Sequence, residues 1–148
     1  MIDNRTEYRS RYATTDNSAR YPFGHGLGYS EFVLDNLKLS DTALRWDRAI
    51  EVTARLTNKG ARKGAEVVQL YIRDRVASRT RPIRELKRIA RVTLDPGESR
   101  TVRFSLSRND LQFVGAGNRI IAEPGAFDLW VGQSSINGLH AQFTLYAA

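Results

Sequence analysis

At 148 residues, with 41% hydrophobic and 26% charged side chains, the chain is long enough for one ordinary core, too short for two, and unlike a wholly disordered polymer. The absence of cysteine excludes disulfide frameworks and thiolate metal sites, and the two histidines, His25 and His140, lack the close spacing of a metal-binding pair. The net charge of +7 is almost all arginine, 19 Arg beside 4 Lys, no run approaches the roughly 18 apolar residues of a membrane span, and residues 1–20 lack the basic-then-apolar order of an export leader.

Residues 1–20 are rich in Arg, Thr, Asn, Asp and Ser, with Tyr8 and Tyr12 as the only large side chains, and read as an extended arm or linker. Tyr21-Pro22-Phe23-Gly24-His25-Gly26-Leu27-Gly28-Tyr29 follows. Its glycines let the backbone lie close to a surface while the aromatic and leucine side chains anchor it, which marks a contact segment. A glycine-rich phosphate loop is rejected, because no helix and no Lys-Ser/Thr end follow. We therefore divide the chain into an arm, 1–29, and a folded body, 30–148.

Glu31 to Leu39 carries Phe32, Leu34, Leu37 and Leu39 with a phase shift at Asp35-Asn36, a strand with a bulge. Ala49 to Asn58 alternates strictly, with Ile50, Val52, Ala54 and Leu56 inward and Glu51, Thr53, Arg55 and Thr57 outward. Asn58-Lys59-Gly60 is expected to turn the chain back, through residues that tolerate positive φ, into a central strand at 65–72. There Val68, Leu70 and Ile72 make one apolar face. Val67, Gln69 and Tyr71 make a mixed face that should meet something other than bulk water.

The stretch 82–94 is ambiguous. Apolar positions 83, 86, 89 and 90 also fit a short helical turn opened by Pro82, but the tight turn Asp95-Pro96-Gly97-Glu98 and the alternation beyond it favour an edge strand with a bulge from about 86 to 94. It should form a hairpin with Ser99 to Leu106. Ser107 to Leu111 reads as a cap and turn, with Asp110 capping and with Leu111 and Phe113 entering the core. Gly115 to Asn118 turns, Ala126 to Gly132 and Leu139 to Tyr146 close the fold, and Glu123-Pro124-Gly125 and 133–138 connect them. Seven strands with short turns and no amphipathic helix describe an antiparallel β-sandwich of immunoglobulin-like architecture.

Chemistry is scarce in this pattern. No nucleophile elbow or zinc motif occurs, and Asp47, Asp74, Asp95, Asp110 and Glu123 sit at turns, where capping explains them better than a catalytic pair. Trp46, Trp130 and Tyr71 could make a platform for sugar rings, although burial at an interface suits them as well or better. The cations between Arg73 and Arg91 could attract phosphates, but acids are interspersed and no aromatic lies beside the arginines to stack a base, so outward faces are preferred to nucleic-acid binding.

The motif around Tyr21-Pro22-Phe23-Gly24, then Thr57-Asn58-Lys59-Gly60 with Gly64 to Tyr71, Arg81 to Leu86, Leu94 to Glu98 and Glu123-Pro124-Gly125, resembles the C-terminal fibronectin type III-like domain of glycoside hydrolase family 3 enzymes, especially bacterial periplasmic β-glucosidases. His25, Gly28 and Arg88 depart from that pattern. The resemblance implies a fibronectin type III-like sandwich in a periplasmic or secreted parent that hydrolyses β-glucosides by a retaining, two-carboxylate route. In that family the nucleophile lies in an upstream barrel and the acid/base in a middle α/β domain, so no catalytic, cofactor or metal residue carries over to this chain. Its expected role is an accessory module packing on the barrel and α/β domains through Tyr21, Pro22, Phe23, His25, Leu27, Tyr29, Tyr71, Arg81 and Pro82. The competing expectations are a carbohydrate contact at Trp46 and Trp130, and dimerisation through the arm.

Overall fold

A computed structural model describes residues 18–147; the earlier part of the arm, with Tyr8 and Tyr12, lies outside them. The strands are β1 (Phe32–Leu39), β2 (Ala43–Leu44), β3 (Ala49–Asn58), β4 (Gly64–Asp74), β5 (Glu85–Leu94), β6 (Ser99–Ser107), β7 (Phe113–Val114), β8 (Ile120–Ile121), β9 (Gly125–Gly132) and β10 (Leu139–Leu145). One sheet has the order β1-β3-β6 and the other β2-β10-β9-β4-β5, with β7-β8 as a small separate ribbon. The long strands are the seven read from sequence, and the fold is an all-β sandwich of the fibronectin type III-like kind. All pairings are antiparallel except that of the two-residue β2 with β10, which is too short to leave a sequence pattern.

Period-two alternation builds the core, because each strand delivers every second side chain to the space between the sheets. Ile50, Val52, Ala54, Leu56, Val102, Phe104 and Leu106 from one sheet meet Val68, Leu70, Ile72, Phe127, Leu129, Val131 and Phe143 from the other, all buried. Phe127 and Phe143 stack with centroids 5.3 Å apart. Phe113 does not join them; it stays half-buried on β7 beneath the Arg81 guanidinium, 4.4 Å from its ring centre, and Leu111 alone takes the core position. Thr57 is buried rather than solvated, its hydroxyl 2.8 Å from that of Ser99.

Two expected hairpins are instead arches between sheets. β3 pairs with β1 and β6, β4 pairs with β5 and β9, and β5 does not pair with β6, so 59–63 and 95–98 both carry the chain across the sandwich. Alternation cannot distinguish these cases, since a hairpin and an arch both place the apolar face inward. Neither Asn58 nor Gly60 has positive φ. Gly60 is required by proximity: a Cβ there would overlap the Ser30 hydroxyl and lie 2.9 Å from the Glu31 nitrogen.

Both arches are tied to Asn58, whose side chain is completely buried. Its Oδ1 accepts from Ser30 Oγ at 2.7 Å and Gly60 N at 3.0 Å, and its Nδ2 donates to Arg62 O at 2.7 Å and Leu94 O at 3.1 Å. Its backbone donates to Glu98 O at 3.0 Å and accepts from Gly97 N at 2.9 Å. The amide's two donors and two lone pairs are all used. At the other end of the sandwich Asp110 accepts from Ser107 N at 2.8 Å, fixing the short 3-10 turn Arg108–Leu111, and forms an ion pair with Arg88 on β5.

The expected bulge in β1 lies between Asp35 and Lys38, with Asn36 at φ 52°, and Arg55 grips the Asp35 carboxylate through two hydrogen bonds of 2.7 and 3.0 Å. That grip holds the Asp35 carboxyl below its ordinary value.

Replacing Asn58 with Ala removes four side-chain hydrogen bonds and leaves buried partners unpaired, so it should cost about 3 kcal/mol or more, read as a lower urea midpoint at unchanged m-value. A carboxylate with a depressed pKa contributes stability above its unfolded value and loses it as pH falls through the folded one. Urea titrations from about pH 5 to about pH 2.5 should therefore show a shallower acid decline for Asp35→Asn than for wild type.

Candidate functional site

The mixed outer face of β4, expected to meet something other than bulk water, is covered: Gln69 and Tyr71 are 5% and 1% exposed. The arm covers them. Gln69 Nε2 donates to Gly24 O at 3.0 Å and to Gln133 O at 2.8 Å, and the Tyr71 hydroxyl donates to Gln69 Oε1. Ser135 N donates to Phe23 O at 2.9 Å, and Pro22 O accepts from His25 N at 3.0 Å. Gly24 has φ +79°, and a Cβ there would overlap Gln69 Oε1 and lie 2.8 Å from the Tyr71 hydroxyl, so only glycine fits. Burial pushes the Tyr71 phenol pKa up, which keeps it a donor. Tyr71 is thus held by the chain's own arm and offers no free surface to another domain.

Ser30 ties the far end of the arm to Asn58 and Arg62 O, at 2.7 and 2.8 Å. Between these anchors Leu27 and Tyr29 stand 92% and 94% exposed. A hollow of about 630 Å³ opens between the arm and the sheet, with Phe23, Leu27, Val67, Leu86 and Ile89 among its lining residues. Phe23 also borders a second hollow of about 540 Å³ with Ile83, Arg84, Ser135 and Ile136. The result is one apolar rim of exposed Phe23, Leu27, Ile83, Leu86, Ile89 and Ile136.

Leu86 and Ile89 share the outer face because Lys87 is a bulge. The β4–β5 register moves from Leu70 opposite Arg88 to Tyr71 opposite Leu86, while Ile89 sits opposite Gln69. The apolar spacing at 83, 86 and 89 that imitates a helix is the trace of this surface in the sequence. Ile136 and Gln133, in the turn after β9, leave no comparable signal.

Tyr21 is exposed, tilted against the His25 ring at 5.5 Å, with Arg20 5.8 Å from its ring centre. Pro82 is exposed, whereas the Arg81 side chain is only 10% exposed and engaged by Glu85, which also meets Lys87 at 3.3 Å. Burial opposes the charge on Glu85, but its bond to Arg81 and the nearby Lys87 outweigh this and hold its carboxyl below the ordinary value. The three aromatic residues do not form one platform. Trp46 packs on the core edge with Arg108 4.8 Å from its ring centre. Trp130 lies beside Tyr71 on the sheet, stacks on His140 at 5.1 Å and carries Arg84 at 4.2 Å.

Asp74, Asp95 and Glu123 have structural partners. Asp95 meets Lys63 at 3.2 Å, Glu123 accepts from Ser78 N at 3.0 Å, and Asp74 accepts from Val76 N at 3.1 Å, while burial pushes the Asp74 carboxyl up. Asp128, buried on the outer face, is approached by His140 and Gln142, each at 3.0 Å. Among the described residues no group of three or more His, Cys, Asp or Glu could hold a metal ion, and no helix is long and apolar enough to cross a membrane.

Residues 66–135 match the family model of the fibronectin type III-like domain. The periplasmic β-glucosidase of Salmonella typhimurium is 37% identical over 94% of this chain and 18% of its own length, and a β-xylosidase of Formosa agariphila is 38% identical over 86% of this chain and 18% of its own. Among solved structures, the β-glucosidase of Listeria innocua in complex with glucose superposes with a TM-score of 0.88 at 33% identity, over 97% of this chain and 20% of that one. The glycoside hydrolase family 3 β-glucosidase of Bifidobacterium adolescentis superposes at 0.77 and 34% identity, over 84% of this chain and 18% of that one. The chain thus spans about a fifth of the length of these relatives. With the sandwich, the motifs and the matches in agreement, the chain belongs to the fibronectin type III-like domains of glycoside hydrolase family 3.

Proposed function

We propose that this domain is a non-catalytic brace of a β-glucosidase-type parent, packing against its barrel and α/β domains through the arm and the outer face of the five-stranded sheet. The observation that carries this reading is the rim of Phe23, Leu27, Ile83, Leu86, Ile89 and Ile136, six exposed apolar side chains gathered around two adjoining hollows. Such a gathering is costly in water; covering each large apolar side chain contributes roughly 1.5–3 kcal/mol. Tyr21, Pro22, His25, Tyr29 and Pro82 extend the same contact. Arg81, paired with Glu85, shapes the loop behind it.

On this reading the retaining, two-carboxylate chemistry belongs to the parent's other domains, and residues 1–29 act as the connector leading from them. The parent works in the periplasm or outside the cell, in keeping with the name of the Salmonella relative. The arginines over Trp46 and Trp130 compete for the ring faces that a sugar would need, so we favour domain packing over carbohydrate binding.

The isolated chain should hydrolyse an aryl β-glucoside no faster than buffer; turnover abolished by a single carboxylate substitution would contradict the brace. In the Salmonella enzyme, exchanging the matched region for this chain should preserve aryl β-glucosidase activity, whereas deleting that region should abolish it. Ile89→Ser or Phe23→Ser in the exchanged enzyme should shorten its thermal half-life several-fold. A half-life indifferent to both substitutions would sink the reading.

A further inference from the structure

Four of the six rim residues lie outside the sheet. Phe23 and Leu27 come from the arm, Ile83, Leu86 and Ile89 from β5 and the loop before it, and Ile136 from the turn after β9. Two of these segments, the arm and the turn, converge on one side chain, which stands opposite Ile89 of the third. Gln69 is 5% exposed and spends both amide hydrogens on backbone carbonyls, one in the arm at Gly24 and one in the turn at Gln133, while its oxygen accepts from Tyr71. This pattern fixes the amide's orientation, because two carbonyls can be met only by its NH₂ group and a hydroxyl can donate to its oxygen. Gln133 is itself braced by Glu66 at 2.9 Å.

We propose that Gln69 is a positioning residue that assembles the docking surface, clamping the arm and the 133–137 turn in the register that sets Phe23 and Leu27 beside Leu86, Ile89 and Ile136. The proposal rests on the docking reading above and deepens it: the surface is composite, and it exists only while the clamp is closed. Gly24 is the other half of the device. Its missing Cβ admits the amide, and its backbone oxygen is what the amide reads.

Gln69→Glu tests the clamp, since the carboxylate keeps the shape and the Tyr71 hydrogen bond but turns two donors into acceptors facing carbonyls. In the 148-residue chain at neutral pH, hydrogen-exchange protection of the Ser135 amide, which donates to Phe23 O, should fall about tenfold, while that of Val52 and Leu129 in the core stays unchanged. Acidification should restore much of the protection, because the protonated carboxyl regains a donor; a merely structural loss would not reverse. Should Gln69→Glu fail to fold, Gly24→Ala, which drives a methyl group into an intact Gln69, should give the same loss at Ser135. Unchanged Ser135 protection overturns the proposal. In the exchanged Salmonella enzyme, Gln69→Glu should shorten the thermal half-life as Phe23→Ser does, and an open clamp with an undiminished half-life also overturns it. If Ile89→Ser and Phe23→Ser both leave that half-life intact, the docking reading falls by itself, while the exchange data still judge the clamp.

Discussion

The sandwich depends on a buried amide at the point where two chain crossings meet. Two sheets held only by interleaved apolar side chains would be free to slide, because dispersion and water exclusion have little directional preference. Asn58 supplies direction. It sits at the end of β3, receives the start of β1 through Ser30, closes the 59–63 arch on itself, and holds the 95–98 arch by side chain and backbone together. Apolar alternation sets how thick the core is, and Asn58 sets which strand ends lie together. At the opposite end of the sandwich, the Arg88–Asp110 ion pair ties the edge of the five-stranded sheet to the turn leaving β6. Arg88 is one of the departures from the family pattern, and here it has a clear employment.

The same device is repeated on the outer face. Gln69, like Asn58, is a primary amide buried at a junction of non-adjacent segments, to which it gives both its donors. A primary amide suits such a place because its two donors and an acceptor point in different directions with no charge to desolvate. Around it the arm changes character, from a segment of aromatic and glycine residues into part of the folded body. Its backbone at Phe23 and Gly24 is bound as firmly as a loop of the sandwich, and its side chains at Leu27 and Tyr29 stay open.

The parts of this architecture that alternate were legible from residues alone. Strand positions, the inward sets on β3 and β4, the bulge at Asp35-Asn36 and the edge position of β5 all follow from period-two patterning and turn chemistry. Strand partners were not legible. Asn58-Lys59-Gly60 and Asp95-Pro96-Gly97-Glu98 carry hairpin-like residues, yet both are arches, since the choice is made by tertiary hydrogen bonds to Asn58 that no local window contains. The contact surface was half legible. The arm announced itself through its aromatic residues, and the mixed face of β4 implied a cover. That Tyr71 serves the cover rather than an outside partner depends on Gly24 reaching it from 47 positions away, a long-range contact invisible to periodicity.

The bulge at Lys87 has a second effect. Strand β5 forms the rim of its sheet, and a rim strand leaves a row of backbone donors and acceptors on which a stray extended chain could grow. By breaking the pleat at Lys87 and flanking it with Arg88 and Arg91, the sequence spoils the flat template that such growth needs, even though Leu86 and Ile89 on the same strand are greasy and uncovered. The bulge thus tempers the hazard of an edge strand that carries the exposed side chains of Leu86 and Ile89.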